Sequence, residues 1–395
     1  MQLASSPHTH LTYCLNVHPG ESLAEMSAAI REHAAVIRAA VAPGVPFGLG
    51  LRVADRAARE MEDPTARRAL RELLQAQGMY AFTINGFPYG SFHGTTIKEA
   101  VYRPDWRDPA RTAYTGRLAR LLAELLPEGM SGSISTVPGS YKAWIRSAQD
   151  VRDMVEQLAA AALELARLYD ATGRELHLGL EPEPDCFLET TAETLAFFRE
   201  QLVPHGARWL AARHGGSPAA AEALLRRHLG VCFDTCHLAL QFEDLAESLR
   251  RLCTEGIRIS KIQLSAALRT CWQPGAVAAL QPFAGSIYLH QVKARAQGRV
   301  ISRGDLAEAL AAGAGAAGEE WRVHCHVPLY FAGDGVLATT ADQLDAAFFR
   351  EVRTRQVEHL EIETYTFHVL PEELRRLGVD CSIAEEYRWI MPRLA

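Results

Sequence analysis

Short apolar runs that alternate with longer amphipathic stretches set the tightest limit on what this chain can fold into. The runs are HLTYCLNV (10–17), FGLGLRV (47–53), 80–84, 133–137, ELHLGLE (175–181), GVCFD (230–234), 257–264 and HLEIETY (359–365). Each has the length of a strand. The stretches between them, near 22–42, 55–77, 109–126, 147–172, 191–202 and 218–228, repeat apolar residues at the spacing of a helix. Strands separated by helices pair in parallel, and eight such units predict an α/β chain folded as a (β/α)8 TIM barrel. Extra material falls between the seventh and eighth strands. There, Ser286–Lys293 and Arg299–Ser302 read as an inserted hairpin, Trp321–Val327 (WRVHCHV) as an extra strand, and the small-residue run 311–318 as a flexible linker. The loop that opens Asn85-Gly86-Phe87-Pro88-Tyr89-Gly90 is long and aromatic, so it reads as functional. The expected organisation is a single TIM-barrel domain over 1–395 with insertions at about 85–107 and 265–335.

Composition narrows the partners. A formal net charge of −6 argues against unaided binding to nucleic acid, which needs a basic footprint. The first residues carry neither a positive start nor an apolar core of a secretion signal, and no apolar run is long enough to cross a bilayer, so a cytoplasmic protein is expected. The 8 cysteines are scattered without a C-x-x-C pair and read as small buried hydrophobes. The expected partner is a small polyol or sugar-like molecule; oligomeric state is open.

TIM barrels keep their chemistry at the C-terminal ends of the strands. Here those ends offer Glu181 from strand five, Asp234 with His237 from strand six, Gln263 from strand seven, and Glu361 and Glu363 from strand eight. Alternation puts both strand-eight glutamates on one face, with Glu363 nearer the mouth. Clustered carboxylates with an imidazole form a hard site for Mn²⁺, Mg²⁺, Co²⁺ or Zn²⁺; singly, each glutamate also fits a rim ion pair. His324 and His326 alternate onto one face, so one of them reaches the metal or both form a core pair. His18, Arg52, Asn85 and Tyr89 end early strands, where they would bind substrate hydroxyls or a phosphate, or else cap helices and pack loops. His290, in the hairpin segment, joins them as a candidate.

The order Glu181-Pro182, Asp234-Thr235-Cys236-His237, Glu363-Thr364 resembles the xylose isomerase-like superfamily of sugar isomerases, sugar epimerases and endonuclease IV. Over nearly the whole chain, through NVHPGES, YLHQVKA, VHCHVPLYF and HLEIETYTF, it also resembles the EboE-type metabolite-traffic proteins of bacterial secondary metabolism. The resemblance implies that Glu181, Asp234 and Glu363 ligate a divalent metal, that Glu181 and Glu363 double as acid and base, and that His237 sits beside the metal. The epimerases end strand seven with a metal-binding histidine. This chain has Gln263 there, so either Gln263 coordinates or His326 takes its place. The expected activity is a metal-dependent isomerase or epimerase of a sugar, sugar phosphate or cyclitol. Two alternatives stand beside it: a phosphoester hydrolase of the endonuclease IV type that uses spare histidines (His18, His93, His326), and a barrel that only binds or hands over a metabolite.

Overall fold

The computed structural model describes residues 1–395 apart from 91–97, 286 and 314, so His93 and Ser286 lie outside the described residues. Eight parallel strands form the barrel: β1 (Ser6–Tyr13), β2 (Phe47–Arg52), β3 (Met79–Asn85), β4 (Gly132–Thr136), β5 (Leu176–Leu180), β6 (Leu229–Asp234), β7 (Arg258–Leu264) and, after an insertion, β13 (His359–Ile362). Pairing runs without a break from β2 round to β7, on to β13 and back to β1. A parallel bridge from Cys14 to Gly50 closes the ring, and the Gly50 N–H donates to Thr12 Oγ1 at 2.8 Å.

β1 begins and ends earlier than its apolar run suggests. Leu15–Val17 turns away as a 3-10 helix, which carries Asn16 over the barrel mouth. The stretch 55–77 is two helices, Asp55–Glu60 and Pro64–Ala76, because Asp63 caps a new start at Pro64. The helix predicted to end at Leu202 instead continues through a π turn, Phe197–Leu202, and past Pro204 to His214. Long helices α1 (Pro109–Leu125) and α2 (Ala148–Thr172) match their sequence spacing, and α2 starts on a Ser147/Asp150 capping box.

The insertion is larger than a hairpin with one strand. β8 (Ala267–Cys271), β9 (Gln291–Ala296), β10 (Arg299–Asp305), β11 (Glu320–His326) and β12 (Ala338–Thr339) form an antiparallel sheet in the order β10-β9-β11-β8-β12. β8 leaves β7 after only two residues, so this sheet grows directly from the mouth of the barrel. His326, the last residue of β11, pairs with Ala267 and is thereby brought back to the end of β7.

Inside the barrel, Lys261 of β7 pairs with Glu361 of β13, both fully buried. On the outside, α4 (Val379–Leu394) buries Glu386, whose carboxylate accepts from Thr364 Oγ1 at 2.7 Å and from the Leu329 N–H at 3.1 Å. Burial raises this carboxyl to about 7. Between its unfolded value near 4.5 and 7, the folded chain holds a proton that the unfolded chain has released, so stability falls as pH rises through that window. Glu386→Gln is therefore expected to stabilise the protein by up to about 3 kcal/mol at pH 8 and by little at pH 4.5. Urea unfolding at the two pH values checks this; an equal effect at both would remove the titration from the account. No helix among the described residues is long and apolar enough to cross a membrane.

Candidate metal centre

Three strand ends converge at the mouth. Glu181 follows β5, Asp234 ends β6 and Glu363 follows β13; one carboxylate oxygen from each lies within 4.8 Å of the others, and all three residues are buried. Asp234 also caps α3 (Thr235–Leu240). Its Oδ1 accepts from the His237 N–H at 3.1 Å and from Ser265 Oγ at 2.7 Å, which leaves Oδ2 facing inward. Asn16 and Asn85 donate to Glu363 Oε1 at 2.7 and 3.1 Å and hold that carboxylate in place. Burial, then the neighbouring carboxylates, pushes Glu181 and Glu363 well above the usual carboxylate range.

The imidazoles are oriented by oxygen atoms behind them. His237 donates Nδ1–H to the Pro182 carbonyl at 3.0 Å, and His326 donates Nδ1–H to the Glu363 carbonyl at 3.0 Å. His324 meets Gln291 Oε1 at 2.7 Å. The Gln291 amide nitrogen donates to Tyr102 Oη and the Pro184 carbonyl, so its oxygen must accept from His324. In each ring a proton fixed on Nδ1 leaves the Nε2 lone pair free, the arrangement that metal-binding histidines adopt. Burial lowers His237 to about 4, which keeps the ring neutral and able to ligate.

A divalent cation suits these groups. Glu181 Oε2, Glu183 Oε2, Asp234 Oδ2, His324 Nε2 and His326 Nε2 are all buried and make no hydrogen bond. Stranded buried acceptors of this kind are costly unless a cation meets them. Several candidate ligand sets result. Glu181, Asp234 and Glu363 form one and Glu183, His237 and His324 a second, while Asp234, His237 and His326 form a third that shares a residue with each.

Of the residues singled out in the sequence, the structure brings Glu181, Asp234, His237, His326 and Glu363 together. Gln263 lies beside Asp234 in register, but its Oε1 accepts from Cys232 Sγ at 3.0 Å. Asn85 lines the cavity. Four others are turned elsewhere, which corrects their placement against the substrate. His18 stacks on His33 at 4.3 Å; Arg52 is held by the Gly20 and Gly90 carbonyls and Glu21. Tyr89 packs edge-on against Tyr114, and His290 is buried just before β9, outside the cavity lining. Arg52 is spent on the segments after the two neighbouring strands, and His18 and Tyr89 on rings carried by helices.

Glu183, Asn16, Tyr102 and Gln291 were not legible as site residues. Tyr102 Oη donates to Glu183 Oε1 at 2.8 Å, and burial raises Glu183 to about 8. The one signal for Glu183 was its position between Pro182 and Pro184, which fix the backbone around it.

No protein-family model matches the chain, and no curated protein does. Solved structures do. The chain is similar to L-ribulose 3-epimerase at 13% identity, covering 98% of this chain and 94% of that one with a TM-score of 0.47. It is similar to the IolI protein with a bound zinc atom at 10% identity, covering 98% of each chain with a TM-score of 0.48. A xylose isomerase domain protein from Alicyclobacillus acidocaldarius is similar at 12% identity, covering 97% of this chain and 98% of that one with a TM-score of 0.48. The likeness is one of chain course. The barrel itself is read from the strand pairing.

Proposed function

We infer that the chain is a divalent-metal-dependent isomerase or epimerase of a sugar- or cyclitol-like polyol. The observation that carries this reading is the pair Glu181 and Glu363, buried carboxyls from non-adjacent strands that face one shared space. A cation held by Glu181, Asp234, Glu363 and His326 would polarise a carbonyl and its neighbouring hydroxyl and so acidify the adjacent C–H. One glutamate then takes the carbon-bound proton and the other returns one. Return to the opposite face gives an epimer; return to the neighbouring carbon exchanges aldose for ketose. Asn16 and Asn85 both donate to Glu363 Oε1 and so fix the orientation of that carboxyl group. The resemblance to EboE-type proteins supports a place in secondary metabolism.

The test is solvent-deuterium incorporation into a panel of polyols by metal-loaded protein, followed by mass spectrometry. Exchange at one C–H is expected, and Glu363→Gln is expected to slow it at least about a hundredfold. Exchange that survives both Glu363→Gln and Glu181→Gln would refute the two-glutamate reading.

The second ligand set favours one competitor, metal-dependent phosphoester hydrolysis, which uses paired cations. Two bound equivalents per chain together with cleavage of bis(p-nitrophenyl) phosphate would support it over the isomerase.

A further inference from the structure

We propose that this site takes an uncharged polyol that carries an apolar or aromatic portion, and excludes phosphate esters. The proposal rests on the isomerase reading and concerns its substrate.

The cavity at the carboxylates is lined by two unlike sets of residues. One is acidic and imidazole: Glu181, Glu183, His237, His324 and Glu363. The other is apolar or aromatic and includes Phe87, Val101, Tyr102, Leu289 and Tyr365. Phe87 and Tyr102 stack at 5.7 Å, and Tyr102 stacks in turn on Tyr141 at 5.4 Å, so these rings form one aromatic layer. Hydroxyl groups suit the first set and a ring or alkyl portion the second, where aromatic faces reward apolar contact.

Among the described residues, a phosphate finds no unpaired cationic side chain in the lining. TIM barrels that bind phosphate often hold it between the loops after strands seven and eight and the N-terminus of a short helix. Here the chain after β7 runs straight into β8 and the insertion sheet, and after β13 it enters the 3-10 turn Tyr365–Val369, which presents an aromatic ring. Among the described residues, Lys98 is the one cation in the lining, and it pairs with Asp305 at 3.3 Å. Nearby cations are committed as well: Lys261 to Glu361, Lys293 to Asp185 and Glu189, and Arg52 to Glu21. Among the described residues, a phosphate in this lining would therefore meet no side-chain cation that is not already paired with a carboxylate.

Titration calorimetry on Mn²⁺-loaded protein tests this with phenyl β-D-glucoside and glucose 6-phosphate, with metal content measured in parallel. The glucoside is expected to bind at least tenfold more tightly. Equal or tighter binding of the phosphate, or no binding of the glucoside to protein that holds its cation, overturns the proposal. If the protein binds the glucoside while holding no cation, the isomerase reading falls and the substrate class stands. Leu289→Lys supplies the missing charge and is expected to raise glucose 6-phosphate affinity at least tenfold; Val101→Lys replaces it if that variant does not fold. Phosphate affinity unmoved by an added lysine would show that charge is not what excludes it.

Discussion

Metal-free protein carrying Glu181→Gln is expected to be more stable than the wild type at neutral pH, by roughly 1–4 kcal/mol, and to lose the stabilisation that a divalent cation confers. The two effects have opposite signs for one physical reason. Glu181 is buried among Asp234, Glu183 and Glu361, so without a cation it must hold a proton against its preference or an unscreened charge. An amide of the same shape removes that cost. It also removes one anionic ligand, and cation affinity should fall at least about a hundredfold, given that even residues behind the ligands are worth ten- to a hundredfold. Added Mn²⁺ at a hundred times the wild-type dissociation constant would stabilise the wild type by about 2.7 kcal/mol and the variant by no more than about 0.4 kcal/mol. Urea unfolding with and without the ion reads both. A metal-free variant weaker than the wild type, or equal stabilisation of both proteins by Mn²⁺, would count against a cation site at Glu181.

Beneath that site, Lys261→Met is expected to cost about 3–5 kcal/mol, because it leaves Glu361 buried without its partner. The double change Lys261→Met with Glu361→Leu should recover most of the loss, since both ions and their desolvation go together. The pair is enclosed on all sides. A Cβ at Gly50 would lie 2.0 Å from Glu361 Oε1, so Gly50→Ala is expected to be as damaging as the single lysine change. If the double variant is no more stable than Lys261→Met alone, the damage is lost packing and not an orphaned charge.

The parts of the site most legible in the sequence lay where strand geometry leaves a residue no choice. Glu181, Asp234 and Glu363 each follow an apolar run directly, so once the barrel is assigned their position at the mouth follows. Residues whose place depends on a distant segment were not legible. β8 (ALRTC) is too short and mixed to show a strand period alone, and it is a strand because β11 and β12 pair with it. His326 illustrates both cases: its alternation with His324 was readable, but its arrival beside Asp234 depends on β11 pairing with β8. His18, Arg52 and Tyr89 were equally well placed by strand position, and loop carbonyls, a carboxylate and neighbouring rings claimed them instead.

On the proposed assignment the ligands are spread from Glu181 to Glu363, with His326 contributed by a sheet that interrupts the barrel before its last strand. A ribosome must therefore release that whole stretch before any cation meets more than part of its shell. The ion cannot template folding locally, as it does where all ligands sit within a short loop. On that assignment it would load a scaffold that has already assembled, so chelation is expected to empty the protein without unfolding it.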